Sequence, residues 1–173
     1  MQSLTVEAAV SFGANQGDRL ANLSAALAKI LALPSVTLLA KSSVYETEPV
    51  DVPPEFTDKS FANSVAVFAV SGMSAGEWSE RLHAIEDELL RTRGRVPHLP
   101  RTIDLDLLTF GDTVSDTPTL RLPHPQISKR RFVCEPLAQI RPDLILPGMT
   151  QNIRTLLTSL PDKPAVRFLA SEF

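Results

Sequence analysis

The chain has 173 residues, 43 % hydrophobic and 21 % charged, with a formal net charge of −3. Those figures suit one globular domain with a substantial core, and they argue against nucleic acid as the main partner, because nucleic-acid-binding domains carry a basic excess. A single Cys134 excludes an internal disulfide and fits a reducing cytosol, and no apolar run approaches the roughly 20 residues that cross a bilayer, so the expected setting is the cytoplasm with no membrane partner.

In chain order, "LTVEAAVSF" (4–12) reads as a strand, followed by a turn containing Gly13 and Gly17. Asp18 is the expected N-cap of a helix whose apolar stripe is Leu20, Leu23, Leu27, Ile30 and Leu31, ended by Pro34. Residues 36–46 form a second strand, and 47–60, with three prolines and no periodicity, form a long surface loop of the kind that binds ligands. "FANSVAVFAV" is a third strand. Ser74 and Glu77 then make a capping box for a helix that buries Trp78, Leu82, Ile85 and Leu89 along one face.

That helix fails at "RTRGRVPHLP", and a fourth strand runs from Arg101 to Phe110. Beyond the Gly111-Asp112 turn, a helix is expected from about Ser128 to Gln139, and a last one at 151–160. The order strand–helix–strand–strand–helix–strand is the split βαβ pattern. The expected fold is therefore α+β, ferredoxin-like, a mainly antiparallel sheet flanked by helices, in a single domain over 1–173.

The fourth strand, "RTIDLDLLTF", carries the first chemical signal. Side chains alternate along a strand, so Asp104 and Asp106 share one face with Thr102, while Ile103, Leu105 and Leu107 take the other and enter the core. Two carboxylates so placed suit hard cations bridged by phosphate oxygens, although an acidic edge strand facing water would look the same. Arg91, Arg93, Arg95 and Arg101 lead into them on a Gly/Pro-rich segment, with forks that match phosphate. Dipole pairing at a helix C-terminus explains Arg91 and Arg93 but not Arg101. No Walker A loop is present, since "GANQGDRL" lacks the Gly-Lys-Ser/Thr ending. The residues alone point to Mg²⁺-dependent phosphoryl transfer or hydrolysis.

"RTIDLDLL" followed by "LPHPQISKRRFVCEPLAQIRPDLILP" resembles the 6-hydroxymethyl-7,8-dihydropterin pyrophosphokinases of the folate pathway. "SFGANQGDR", "SSVYETEPV", "FANSV" and "AIEDELLRTR" resemble further motifs of that family, in the same order, over about residues 8–147. The resemblance implies transfer of the β,γ-pyrophosphoryl group of ATP to the hydroxymethyl oxygen of the pterin, releasing AMP. It implies two Mg²⁺ ions held by Asp104 and Asp106, with Arg91 and Arg101 stabilising the transferring group. Phe61 and Phe132 match an aromatic pair that sandwiches the pterin, Asn63 the side chain that reads its edge, and Thr47 a further pterin contact. His83, Glu86, Arg93, His124 and Arg130 match positions on the ATP side. Tyr45 and Trp78 are expected to be structural.

The chain departs from the family pattern at His98-Leu99, where many members have Trp-Gly, and at Gly94, Arg95 and Pro97 in the same lid. Without the resemblance, Phe61 and Phe132 would be read as core and His124 as a loop residue. Two other readings compete: a two-metal phosphohydrolase with water as nucleophile, and a regulatory ferredoxin-like module with a decorative acidic strand. Met1 and the compact length suggest a free-standing monomer.

Overall fold

The computed structural model describes residues 4–49, 55, 60–90 and 102–173. Its elements are β1 (Thr5–Ala14), α1 (Arg19–Leu31), β2 (Val36–Lys41), β3 (Val44–Thr47), β4 (Phe61–Ser71), α2 (Ala75–Leu90), β5 (Asp104–Phe110), β6 (Ser115–Thr117), β7 (Leu120–Leu122), α3 (Arg131–Ile140), α4 (Ile153–Ser159) and β8 (Val166–Ala170).

Local chemistry explains several boundaries. Asp18 accepts a hydrogen bond from the backbone N–H of Ala21 at 3.0 Å and opens α1. Before α2, the Ser74 N–H donates to Glu77 at 2.7 Å and the Glu77 N–H donates back to Ser74 Oγ at 3.3 Å, which is the expected capping box. Asn152 caps α4 by accepting from the Thr155 N–H at 2.9 Å.

Among the described residues the main sheet runs β5-β1-β4-β3-β8, with β2 also against β4, and every pairing is antiparallel. β6 and β7 form a separate hairpin. This is the ferredoxin-like α+β order expected from the alternation of elements.

Side-chain alternation splits the sheet into two unlike faces. One face meets α1 and α2 through Val10, Phe12, Ala66, Phe68, Leu105 and Leu107, with Trp78 fully buried against it. The other meets α3 and α4 through Ala9, Val65, Val67 and Leu108. At 25 cal/mol per Å² these two apolar layers supply the main folding force, and they fix which residues of each strand remain for chemistry.

Four expectations need correction. The strand expected at 36–46 is two strands, because the Ser42 N–H donates to the Val65 carbonyl at 2.9 Å while Ser42 Oγ accepts from the Val65 N–H at 3.0 Å, and the chain pivots there. The helix expected from Ser128 starts at Arg131, since residues 125–129 form turns and Arg130 is extended at φ −115. Gly13 belongs to β1 rather than to the turn, whereas Gly17 turns the chain at φ 63. β8 is an additional strand at the sheet edge.

Candidate active site

The site begins with register. Gly13 of β1 lies opposite Asn63 of β4 on one side and opposite Asp104 of β5 on the other, and Ser11 lies opposite Asp106. Three neighbouring strands thus present Asn63, Gly13 and Asp104 in a row on the α3 side of the sheet. A Cβ at Gly13 would stand 3.4 Å from Asn63 Oδ1 and 4.0 Å from Asp104 Cβ. Glycine there leaves open the floor between an amide and a carboxylate. The next strand continues the row, with Thr47 opposite Phe61 and Tyr45 opposite Asn63.

These residues line a cleft of about 700 Å³, closed on its far side by the approach to α3. Thr47, Phe61, Asn63, Asp104, Asp106, His124, Arg130 and Phe132 all line it, so the resemblance's pterin positions and metal ligands converge on one hollow. Phe61 and Phe132 are half-buried and give part of their surface to the cleft instead of disappearing into the core. Asn63, 5 % exposed, donates from Nδ2 to Thr47 Oγ1 at 2.8 Å, which fixes the orientation of its amide. The Arg130 guanidinium stands 5.6 Å from the Phe132 ring centroid and links the aromatic wall to the charged end.

Glu86 reports the electrostatics of that charged end. Its carboxylate accepts from the Leu105 N–H at 2.6 Å, capping the outer edge of β5. Burial pushes its pKa up to about 8; the Leu105 N–H pulls it down, and Asp104 and Asp106 push it up further, Asp104 also through a shared hydrogen bond. A third carboxyl therefore keeps its proton at neutral pH beside two that supply negative charge.

His124 has its pKa lowered by burial and by the nearby Arg130, with Asp104 opposing. Its Nδ1 accepts from the Gln126 N–H at 3.2 Å, so the neutral ring carries its proton on Nε2. His124 and Asp106 also line a smaller hollow of about 190 Å³, where α2 contributes His83 and the β6–β7 hairpin contributes Arg121. Two hollows therefore meet at Asp106 and His124.

Arg91, Arg93 and Arg101, together with His98-Leu99 and most of the 47–60 loop, lie outside the described residues. Tyr45 points elsewhere: its hydroxyl donates to Gln139 Oε1 at 3.0 Å, which ties β3 to α3 and bears out a structural role. Trp78 is buried as expected. Sequence reading missed Ser11, Gly13, Glu48, Lys129, Arg131 and Lys163 in the cleft wall. The small and polar alternation at Ser11 and Gly13 was a usable signal; Lys163 offered none.

The two carboxylates form a donor set that fits magnesium. Aspartate oxygens are hard ligands, and beside them it is chiefly burial, with a smaller push from Asp104 and Asp106, that raises the Glu86 pKa. Magnesium takes one or two carboxylates and fills its other positions with water and phosphate oxygens, which suits two aspartates set opposite Gly13 and Ser11 on the open side of the sheet.

Comparison with known proteins completes the description. Residues 9–142 match the family model for 7,8-dihydro-6-hydroxymethylpterin-pyrophosphokinase. A 2-amino-4-hydroxy-6-hydroxymethyldihydropteridine pyrophosphokinase of Pseudomonas aeruginosa is 35 % identical over 88 % of this chain and 90 % of its own length. The enzyme of the same name from Bacillus subtilis is 38 % identical over 76 % of this chain and 75 % of its own length. The folic acid synthesis protein fol1 of Schizosaccharomyces pombe is 32 % identical over 89 % of this chain, which spans only 20 % of that longer protein. Among solved structures, a Plasmodium falciparum HPPK-DHPS superposes over 91 % of this chain and 46 % of that one, with a TM-score of 0.68 at 16 % identity, a likeness of fold.

Proposed function

We propose, for a chain that belongs to the 7,8-dihydro-6-hydroxymethylpterin-pyrophosphokinase (HPPK) family, the magnesium-dependent transfer of pyrophosphate from ATP to 6-hydroxymethyl-7,8-dihydropterin, releasing AMP. The family membership makes it a pyrophosphokinase of folate synthesis; the donor, the metal and the residue roles are our reading. The observation that carries it is the single cleft in which Phe61, Asn63 and Phe132 stand beside Asp104 and Asp106.

At one end Phe61 and Phe132 take the faces of a flat heterocycle, and Asn63, oriented by Thr47, takes its edge. The hydroxymethyl group then points toward the carboxylates. Asp104 and Asp106 are the residues that would hold two magnesium ions; bound magnesium supplies charge neutralisation and orientation of the phosphate oxygens. His124 and Arg130 face the same phosphates, His83 and Arg121 border the adjoining nucleotide hollow, and Arg91, Arg93 and Arg101 supply further cations in this reading. Glu86 supports the edge of the strand that carries both aspartates.

The pterin oxygen attacks the β-phosphorus, the bond from that phosphorus to the AMP oxygen breaks, and the hydroxyl proton leaves to solvent. Placement and charge supply most of the acceleration in such a step, and no residue here has to act as a base. We assign it as a working monomer in the cytoplasm.

The test is to incubate the protein with ATP, Mg²⁺ and 6-hydroxymethyl-7,8-dihydropterin and identify the nucleotide product. AMP formed only in the presence of the pterin is the expected result. ADP would make the protein an ordinary kinase, and phosphate release without pterin would make it a hydrolase.

A further inference from the structure

Residues 161–165 join α4 to β8, belong to no helix or strand, and fall beyond the family match at 9–142. Even so, Pro161, Lys163 and Pro164 line the large cleft. This strap is fixed at both ends. At its start, Arg131 donates from Nη1 to the Leu160 carbonyl at 3.2 Å and stands 3.5 Å from Asp162, while its Nε holds Glu135 at 3.1 Å. At its end, Val166 pairs with Thr47 and Arg167 with Glu46.

The two anchors define where the strap lies. One is next to Phe132 in sequence, and the other is paired with Thr47; both neighbours belong to the pterin end of the cleft. The strap therefore bridges the aromatic wall and the Thr47–Asn63 wall, away from the β5 edge where Asp104 and Asp106 stand. Two prolines in four residues restrict its backbone before any ligand arrives, so little ordering cost attaches to binding. The Lys163 ammonium brings three donors and no acceptor, which suits an oxo group on a neutral heterocycle.

We propose that the 161–164 strap is a wall of the pterin subsite, that Lys163 is a substrate-binding residue donating to a ring oxo group, and that Arg131 is a positioning residue holding the strap in place. This rests on the pterin reading above. Arg131 lies between Arg130 and Phe132 and borders the cleft, yet its guanidinium is engaged by Leu160, Glu135 and Asp162, which is the arrangement of a residue that holds the strap.

The test titrates the full chain calorimetrically with a non-transferable ATP analogue plus Mg²⁺, and then with 6-hydroxymethyl-7,8-dihydropterin. Lys163→Met should weaken pterin binding about tenfold, the scale of one lost charge-assisted hydrogen bond, with nucleotide affinity within twofold of wild type. Lys163→Arg should recover most of the loss, and Arg131→Gln should reproduce the pterin-only defect. Lys163 is exposed, so its variants should fold. A wild-type protein that binds no pterin overturns the functional reading, and the inference falls with it. A wild type that binds pterin while Lys163→Met binds equally well, or loses nucleotide instead, overturns the inference alone.

Discussion

The two faces of the main sheet are made from alternate residues of the same strands, and they differ in nearly everything else. Toward α1 and α2 the face is apolar except for the buried Ser64, which bonds to Ser42: Phe12, Ala62, Leu105 and Leu107 are all buried there. Toward α3 and α4 it is apolar only where Ala9, Val65, Val67 and Leu108 lie under α3. Past the start of that helix the same strands show Ser11, Gly13, Asn63, Asp104 and Asp106 to an open cleft. The lesson is that a period of two lets one strand anchor a core and arm a site at once, provided a helix covers only part of one face. β5 concentrates the contrast, since Asp104 and Asp106 alternate with Ile103, Leu105 and Leu107.

Substitutions that touch one face should therefore break one property. The largest expected effect on turnover comes from Asp104→Ala, with a loss of roughly 10³-fold or more in pterin-dependent AMP formation, on the scale of removing preorganised charge stabilisation, and an unfolding midpoint close to wild type. Phe132→Ala follows: stacking data on flat bases suggest a pterin affinity lower by about 10–100-fold, measured by titration, with nucleotide affinity little changed. Gly13→Ala is milder. Its new Cβ would sit in van der Waals contact with Asn63 Oδ1 at 3.4 Å and fill part of the cleft floor, and a rise of roughly fivefold in the pterin KM is expected from the lost space.

The smallest effect sharpens the electrostatic side of the comparison. The Glu86 carboxyl releases its proton near 4.5 when unexposed to the fold but near 8 within it, so the folded state binds more protons between those values. Its contribution to stability is full below 4.5 and is lost as pH rises through about 8. Denaturation of metal-free protein should show that decline, and Glu86→Gln, which cannot ionise, should flatten it. An unchanged pH slope in the variant would contradict the assignment of the shift to Glu86.

Much of this was legible in the sequence because it depends on local pattern. Alternation gave β4 and β5, capping residues gave the starts of α1 and α2, and the two aspartates stood out because carboxylates are rare inside an apolar strand. What escaped depends on partners distant in the chain. The pivot at Ser42 exists only because Val65 pairs with it from another strand. β8 is an edge strand with Phe168 65 % exposed, so it carries no clean alternation. Gly13 looks like a turn residue until Asn63 and Asp104 are placed on either side of it. Lys163 reaches the cleft through an irregular strap whose course is set by Arg131 and by β3, and no spacing in the sequence announces that.

The most direct test of a sheet with separate core and catalytic faces compares adjacent residues of β5. Asp106→Ala and Leu105→Ala would be purified together and assayed for unfolding free energy and for pterin-dependent AMP formation per folded molecule. The account predicts that Asp106→Ala keeps its stability and loses nearly all turnover, while Leu105→Ala loses about 2–5 kcal/mol of stability and keeps most of its turnover. A stable, active Asp106→Ala, or two variants that lose stability and activity in parallel, would contradict it.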